Sequence, residues 1–161
     1  MAGKKDISWV SDKIAIVLKA DLPAKLDLLD IEYGDSITLD DIPNENYFIS
    51  ELRKPPGFPI CCIIPDTTNQ SPFTGDQRYG IEYHSLTISI ALTANLGEED
   101  LKRRTIRTIR GISEVLDADP QLNSTVEDTI QMSKEYGELQ FGEHALLQEA
   151  QLIIQVETLT E

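Results

Sequence analysis

The longest regular pattern in the chain is an alternation. From Ile81 to Ala94, Glu82, His84, Leu86, Ile88, Ile90 and Leu92 fall on one side, and Ile81, Tyr83, Ser85, Thr87, Ser89, Ala91 and Thr93 fall on the other. A period of two marks a strand with one buried face. No Gly or Pro interrupts it, and Ile, Tyr and Thr suit a pleated, half-buried surface. At ~3.3 Å per residue the strand would span roughly 46 Å, well beyond the usual length. The period then changes. Asn95, with Glu98 three residues on, predicts a helix N-cap, and Leu101, Thr105, Ile109, Ile112 and Leu116 recur at helical spacing, widened by Ile106 and Val115.

The rest of the chain can be placed against this strand-then-helix unit. Val10, Ile14, Val17 and Leu18 predict a helix from about Ile7 to Leu22, with Trp9 beside the stripe. Pro23 then stops that helix or opens a second short one, Ala24 to Leu29, with Leu26 and Leu29 inward and Ile31–Asp35 as the closing turn. Residues 36–59 are irregular, with a short strand predicted at Tyr47–Ser50 and a stiff loop at Lys54–Pro59. Ile60 to Ile64 is an apolar run that Pro65 ends, fitting a buried central strand. Asp66 to Gln77 reads as a polar loop. Beyond the long helix, Asp117–Pro120 is a stop. Val126 to Tyr136 alternates weakly, with Val126, Asp128, Ile130, Met132, Lys134 and Tyr136 on one side. Gly137 to Glu143 is a hairpin tip, and Ala150, Leu152, Ile154 and Val156 form the inward face of a last strand opposite Glu149, Gln151, Ile153, Gln155 and Glu157. The order α-α-β-β-β-α-β-β predicts an α+β fold: a mainly antiparallel sheet of four to five strands packed against two to three helices.

Length and composition bound the reading. A chain of 161 residues fits one domain, with N-terminal helices at 7–30, a loop-rich segment at 36–59 and a core at 60–159. The N-terminus lacks the apolar core of a leader, and no window is long and apolar enough for a membrane helix. Cys61 and Cys62 are adjacent, so a bridge between them would be strained; they are read as reduced, on opposite faces of a strand, which suits assembly in a cytoplasm. The net charge of −14, from 28 acidic and 14 basic residues, argues against wrapping nucleic acid, whose affinity comes largely from Lys and Arg. Solubility is the simpler reading of that charge taken alone.

Candidate chemistry is sparse. Cys61, Cys62, His84 and His144 show no metal-ligand spacing, no phosphate-cradling glycine motif occurs, and no nucleophile, base and orienting group converge. The reading is therefore no catalytic site, no metal and no cofactor. Glu98, Glu99 and Asp100 suit the positive end of a helix dipole. The most unusual cluster is Lys102, Arg103, Arg104, Arg107 and Arg110, five of the fourteen basic residues within nine positions. Arg103, Arg107 and Arg110 share a helix face, which is either a solvated face or a contact with DNA or with an acidic patch on a second copy. In so acidic a protein the second copy is the more economical partner, and charge reversal at Arg103 and Arg107 would then weaken self-assembly. Arg103, Arg104, Arg107 and Arg110, with Pro55, Pro56 and Phe58 of one loop, Phe73 of another and Phe141 at the hairpin tip, are the candidate interface residues.

Taken in order, the landmarks resemble the superfamily of phage tail terminators and of tail-completion and neck (head–tail joining) proteins. The resemblance rests on a leading helix with Asp21-Leu22-Pro23-Ala24-Lys25-Leu26, then Ile31-Glu32-Tyr33-Gly34-Asp35, then Phe58-Pro59 before an apolar strand. It continues through the long strand, the Arg-rich helix, Asp119-Pro120-Gln121-Leu122 and the closing strand Glu149–Val156. Cys61-Cys62 and the acidic stretch Asp35–Asn46 depart from it. The resemblance implies a virion protein assembled in the host cytoplasm: a subunit of a closed ring, commonly of six, that caps the tail tube and docks on the neck or connector. DNA would pass through the lumen without specific binding, past 6 × −14 = −84 formal charges. Alternatives are a neck or head-completion subunit nearer the portal and, from another class, a small intracellular adaptor domain.

Overall fold

β3 (Gly80–Ala94) pairs with β6 (Leu146–Thr160) along its whole length, from Gly80 against Thr160 to Ala94 against Leu146 without a register break. This ladder is the spine of the computed structural model, which describes residues 5–52, 55–70, 80–94, 97–141 and 146–160. β2 (Ile60–Gln70) flanks β3, and β1 (Tyr47–Phe48) lies beside β2. On the far side, β4 (Asp128–Tyr136) and the two-residue β5 (Gln140–Phe141) both pair with β6. The sheet path is β1-β2-β3-β6-β4, antiparallel everywhere except the short β1–β2 pair. With α1 (Ile7–Tyr33) and α2 (Glu98–Ala118), the fold is α+β with a mostly antiparallel sheet.

Alternation along the spine decides what is buried. His84, Leu86, Ile88, Ile90 and Leu92 of β3 and Ala150, Leu152, Ile154 and Val156 of β6 are buried on one face, in a core shared with both helices. Cys61 and Ile63 of β2 join them, whereas Cys62 points to the other face, so the two thiols part as their spacing predicts. The opposite face has only a small cluster, Ile60, Cys62 and Ala91, packed by Phe48, Leu52, Ile64 and Leu147. No residue of either helix belongs to that cluster. The helices thus cover one side of the sheet, and among the described residues neither helix packs on the other.

α1 corrects the expectation of a break at Pro23. Asp6 caps it by accepting from the Trp9 amide at 2.9 Å, Gly34 closes it in the left-handed region at φ 62°, and the helix passes through Pro23. A mid-helix proline costs ~3 kcal/mol or more in the absence of tertiary support. Here Leu18, Leu22, Leu26 and Leu29 form one fully buried stripe across it. Each such leucine gains roughly 1.5–3 kcal/mol from burial, so the stripe outweighs the missing amide.

The stripe meets α2 at Gly111, where an added Cβ would lie 3.0 Å from Leu26, 3.3 Å from Leu29 and 3.4 Å from Leu22. α2 begins at Glu98 with Gly97 in the cap position at φ 84°, not with Asn95, which lies outside the described residues. Two further expectations change at irregularities in the pairing. Pro65 sits at a register shift in β2 and does not end the strand, which continues to Gln70 through what reads as a loop; residues 71–77 of that loop lie outside the described residues. In β4 a shift between Gln131 and Ser133 breaks the weak alternation, leaving Ile130 and Met132 exposed.

The close approach at Gly111 gives a direct test. A Gly111→Val chain should lose about 2–3 kcal/mol, since the branched side chain must displace three leucine methyls in a filled core. The check is chemical denaturation with an unchanged m-value; an equal midpoint would mean that α1 and α2 do not pack through this residue.

Candidate functional site

The arginine cluster turns inward on its own chain. Arg107 is only 7% exposed, lies over the Tyr33 ring at 3.8 Å, and donates to both carboxylate oxygens of Asp35 at 3.0 and 2.7 Å. Arg110 donates to the Tyr33 hydroxyl at 2.8 Å, to Glu32 at 3.0 Å and to Glu114 at 3.1 Å, and Lys25 reaches Glu114 at 2.9 Å. Arg104 pairs with Asp100 at 2.8 Å and stands 3.7 Å from Asp40, and the more exposed Arg103 pairs with Glu99. The acidic partners of Arg107 and Arg110 thus include the end of α1 and the turn after it, whereas Arg103 and Arg104 pair chiefly within α2. Reversal at Arg107 would break that joint, so a loss of assembly in such a variant would not isolate an interface.

The other candidate residues do not gather around the stripe. Phe58 is exposed beside half-buried Pro55 and exposed Pro56, in the segment leading into β2. Among the described residues, no hydrogen bond or ion pair links this segment to the arginines. Phe73 lies outside the described residues, and of Phe141 only the backbone, in β5, is described.

What the structure does assemble is the uncovered face of the sheet. Residues opposite one another in register share a face. Tyr83 stands opposite Glu157, Ser85 opposite Gln155, Thr87 opposite Ile153, Ser89 opposite Gln151 and Ala91 opposite Glu149. β4 adds Asp128 opposite Glu157, Ile130 opposite Gln155 and Glu135 opposite Gln151. From β2, Asp66 accepts a hydrogen bond from the Thr87 hydroxyl at 2.7 Å. The surface is therefore made of hydroxyls and amides with a few aliphatic side chains and five carboxylates, Asp66, Asp128, Glu135, Glu149 and Glu157. Among the described residues of the sheet it carries no Lys or Arg, because Lys134 lies opposite Leu152 on the helix side.

Chemically, such a face offers phosphate neutral hydroxyl and amide donors but no cation among the described residues. Its carboxylates repel a polyanion, so the charge-driven affinity for nucleic acid is missing. Among the described residues no three His, Cys, Asp or Glu side chains converge as metal ligands, and no helix is long and apolar enough to cross a membrane. No protein-family model matches the chain, and no curated protein is similar to it.

The sequence names the inward set of the last strand and, opposite it, the residues of the carboxylate face; the structure adds that both helices lie on the inward side. That side is set by α1 and α2, whose buried stripes choose the leucine- and isoleucine-bearing face.

Two titrating groups hold the covered side together. His84 is fully buried, with Nδ1 3.0 Å from the Thr68 hydroxyl and Nε2 2.9 Å from the Thr158 hydroxyl, so it ties β3 to both neighbours. Burial pushes its pKa down against the opposing pull of Glu82, 3.5 Å away, and of Asp6. The Arg107 guanidinium holds the Asp35 carboxyl down at about 2. Stability should therefore decline in two steps on acidification. The first begins below pH ~6.5, where an unfolded histidine takes up a proton that His84 resists. The second runs from pH ~4 towards 2, as Asp35 protonates and releases Arg107. At pH 7 an Asp35→Asn variant should melt about 2–4 °C below the parent, a modest shift because the carboxylate is partly solvated. The gap should close near pH 2. A His84→Gln variant should lack the first step. Thermal melts across pH check both, and a gap for Asp35→Asn that persists at pH 2 would deny the ion pair its role.

Proposed function

We propose that the protein is a structural virion subunit at the phage head–tail junction, of the tail-terminator type, acting as a closed homo-oligomeric ring. The observation that carries this reading is the open sheet face, rich in hydroxyl groups and carboxylates and bare of cations. In a ring that face would line the bore, and packaged DNA would slide past it with no cation–phosphate pairs to break. The order of sequence landmarks shared with tail terminators and neck proteins points the same way, as does the net charge of −14.

The sheet borders supply a means of closure. β4 ends the sheet path with its outer edge unpaired among the described residues and exposes Ile130, Met132 and Tyr136. At the other border β1 covers only Cys61 and Cys62, so the outer edge of Asp66–Gln70 is likewise unpaired among the described residues. Open edges recruit strands. Two unlike edges on opposite borders join head to tail, and such contacts close into rings when the rotation allows. The remaining rims would meet the tail tube on one side and the neck or connector on the other.

Native mass spectrometry tests the proposal. The purified chain, alone or with tail tubes, should give a ring mass, commonly six copies. Ile130→Lys with Met132→Lys should return it to a monomer with an unchanged circular-dichroism spectrum, because both side chains are exposed in the lone subunit. A parent chain that stays monomeric at high concentration and ignores tail tubes would overturn the reading in favour of an adaptor domain.

A further inference from the structure

Towards the Gly80 end of β3 the helix-side face of the sheet changes character. Among the described residues the strands contribute nothing to the apolar core past Leu86, Ile63 and Val156. Polar side chains take over: Glu82 and His84 on β3, Thr68 and Gln70 on β2, and Thr158 on β6. Residues 66–70 of β2 are exposed, and so is Leu159 of β6. What closes this end is one imidazole. His84 is fully buried, and its ring nitrogens reach one hydroxyl on each neighbouring strand, Thr68 at 3.0 Å and the buried Thr158 at 2.9 Å. A sheet end with few apolar contacts opens at lower cost than the core.

We propose that His84 is an acid-sensitive latch, whose protonation frees residues 67–70 of β2 and 157–160 of β6 from β3 while the rest of the sheet stays paired. In a neutral imidazole one nitrogen donates and the other accepts, and a hydroxyl can answer either role. A charged ring here would be cut off from water, which disfavours the cation. The charged groups that face it are two carboxylates. Glu82 of β3 stands 3.5 Å from Nε2 but also accepts from the Gln70 amide at 2.9 Å, and Asp6 at the start of α1 accepts from the Trp9 amide and the Ser8 hydroxyl. On this face β2 presents Thr68 and Gln70 and β6 presents Val156 and Thr158, all neutral; Lys5, ahead of α1, donates to the Thr125 carbonyl at 3.0 Å. Burial outweighs the two carboxylates and pushes the ring's pKa below its ordinary value. Once the end opens, the ring meets water and takes up a proton at the usual ~6.5. Acid therefore favours the open form, by up to about tenfold between pH 7.5 and 5.5.

The latch belongs to the single subunit and does not rest on the ring reading. Its consequence for assembly does: residues 66–70 form one of the two sheet borders that would join in a ring, and acid would loosen the ring at that border first.

Amide hydrogen exchange read by mass spectrometry, corrected for the intrinsic effect of pH, tests the latch on the unaltered chain. Peptides covering 67–70 and 157–160 should open up to about tenfold more at pH 5.5 than at pH 7.5. Their exchange should be indifferent to low urea, as befits a small local opening, whereas peptides covering 86–92 and 150–154 should stay slow and respond to urea. A His84→Gln chain should open these ends equally at both pH values. Thr158→Val, which removes one tie and keeps the ring, should open them already at pH 7.5 and retain the acid response. Ends as protected as the core, with the same urea response, would leave only when the whole chain unfolds, and would overturn the latch. So would acid that leaves their exchange unchanged, or that slows it by pairing His84 with Glu82. A chain that proves monomeric tests the latch as well as a ring does.

Discussion

An unbroken antiparallel ladder of β3 on β6 constrains everything else in this protein. Its register sets the side of the sheet on which each side chain lies. A slip of one residue would bury Glu149, Gln151 and Glu157 and expose Leu152, Ile154 and Val156, so the pairing is strongly specified. α2 follows β3 closely in the chain and lies on the aliphatic side, and α1 is held there by its leucines packing around Gly111. One face becomes core because the ladder presents aliphatics to the helices. The other face has only a small apolar cluster around Cys62, and no helix packs on it.

The few cations are placed with equal consequence. Five of the fourteen lie between Lys102 and Arg110 of α2, and the arginines among them are paired with acids of the same chain. Arg107, held between Tyr33 and Asp35, does most to fasten the end of α1 to α2. With the arginines of this cluster paired on the helical side, the open sheet face has no cation among its described residues. The proposed ring would use that separation: attractive charge satisfied within the chain, repulsive charge left for the bore.

Much of this architecture is legible in the sequence wherever a strict period operates. The alternation predicts β3 to within a residue of its observed ends and gives the inward set of β6, because a half-buried strand must alternate. Local rules mislead where tertiary packing outweighs them. Pro23 looks like a boundary until four buried leucines carry the helix through it, and Pro65 looks like a strand end until a register shift accommodates it. The irregularity at Met132 leaves no mark in a weakly alternating stretch. The arginines are visible as a cluster, but Asp35, the partner of Arg107, lies 72 residues away in sequence. The inward set of the last strand also names, opposite it, the residues of the candidate surface; the structure adds that both helices lie on the inward side.

The central claim is that the side of the sheet left uncovered by α1 and α2 faces a DNA-conducting bore. Electron microscopy of the assembled particle, at a resolution that separates helices from sheet, tests it most directly. The account predicts a closed ring with both helices towards the outside and Glu149, Glu157 and Glu135 facing the lumen. A ring whose bore is lined by helices, or a particle in which a partner covers the open face, would contradict it.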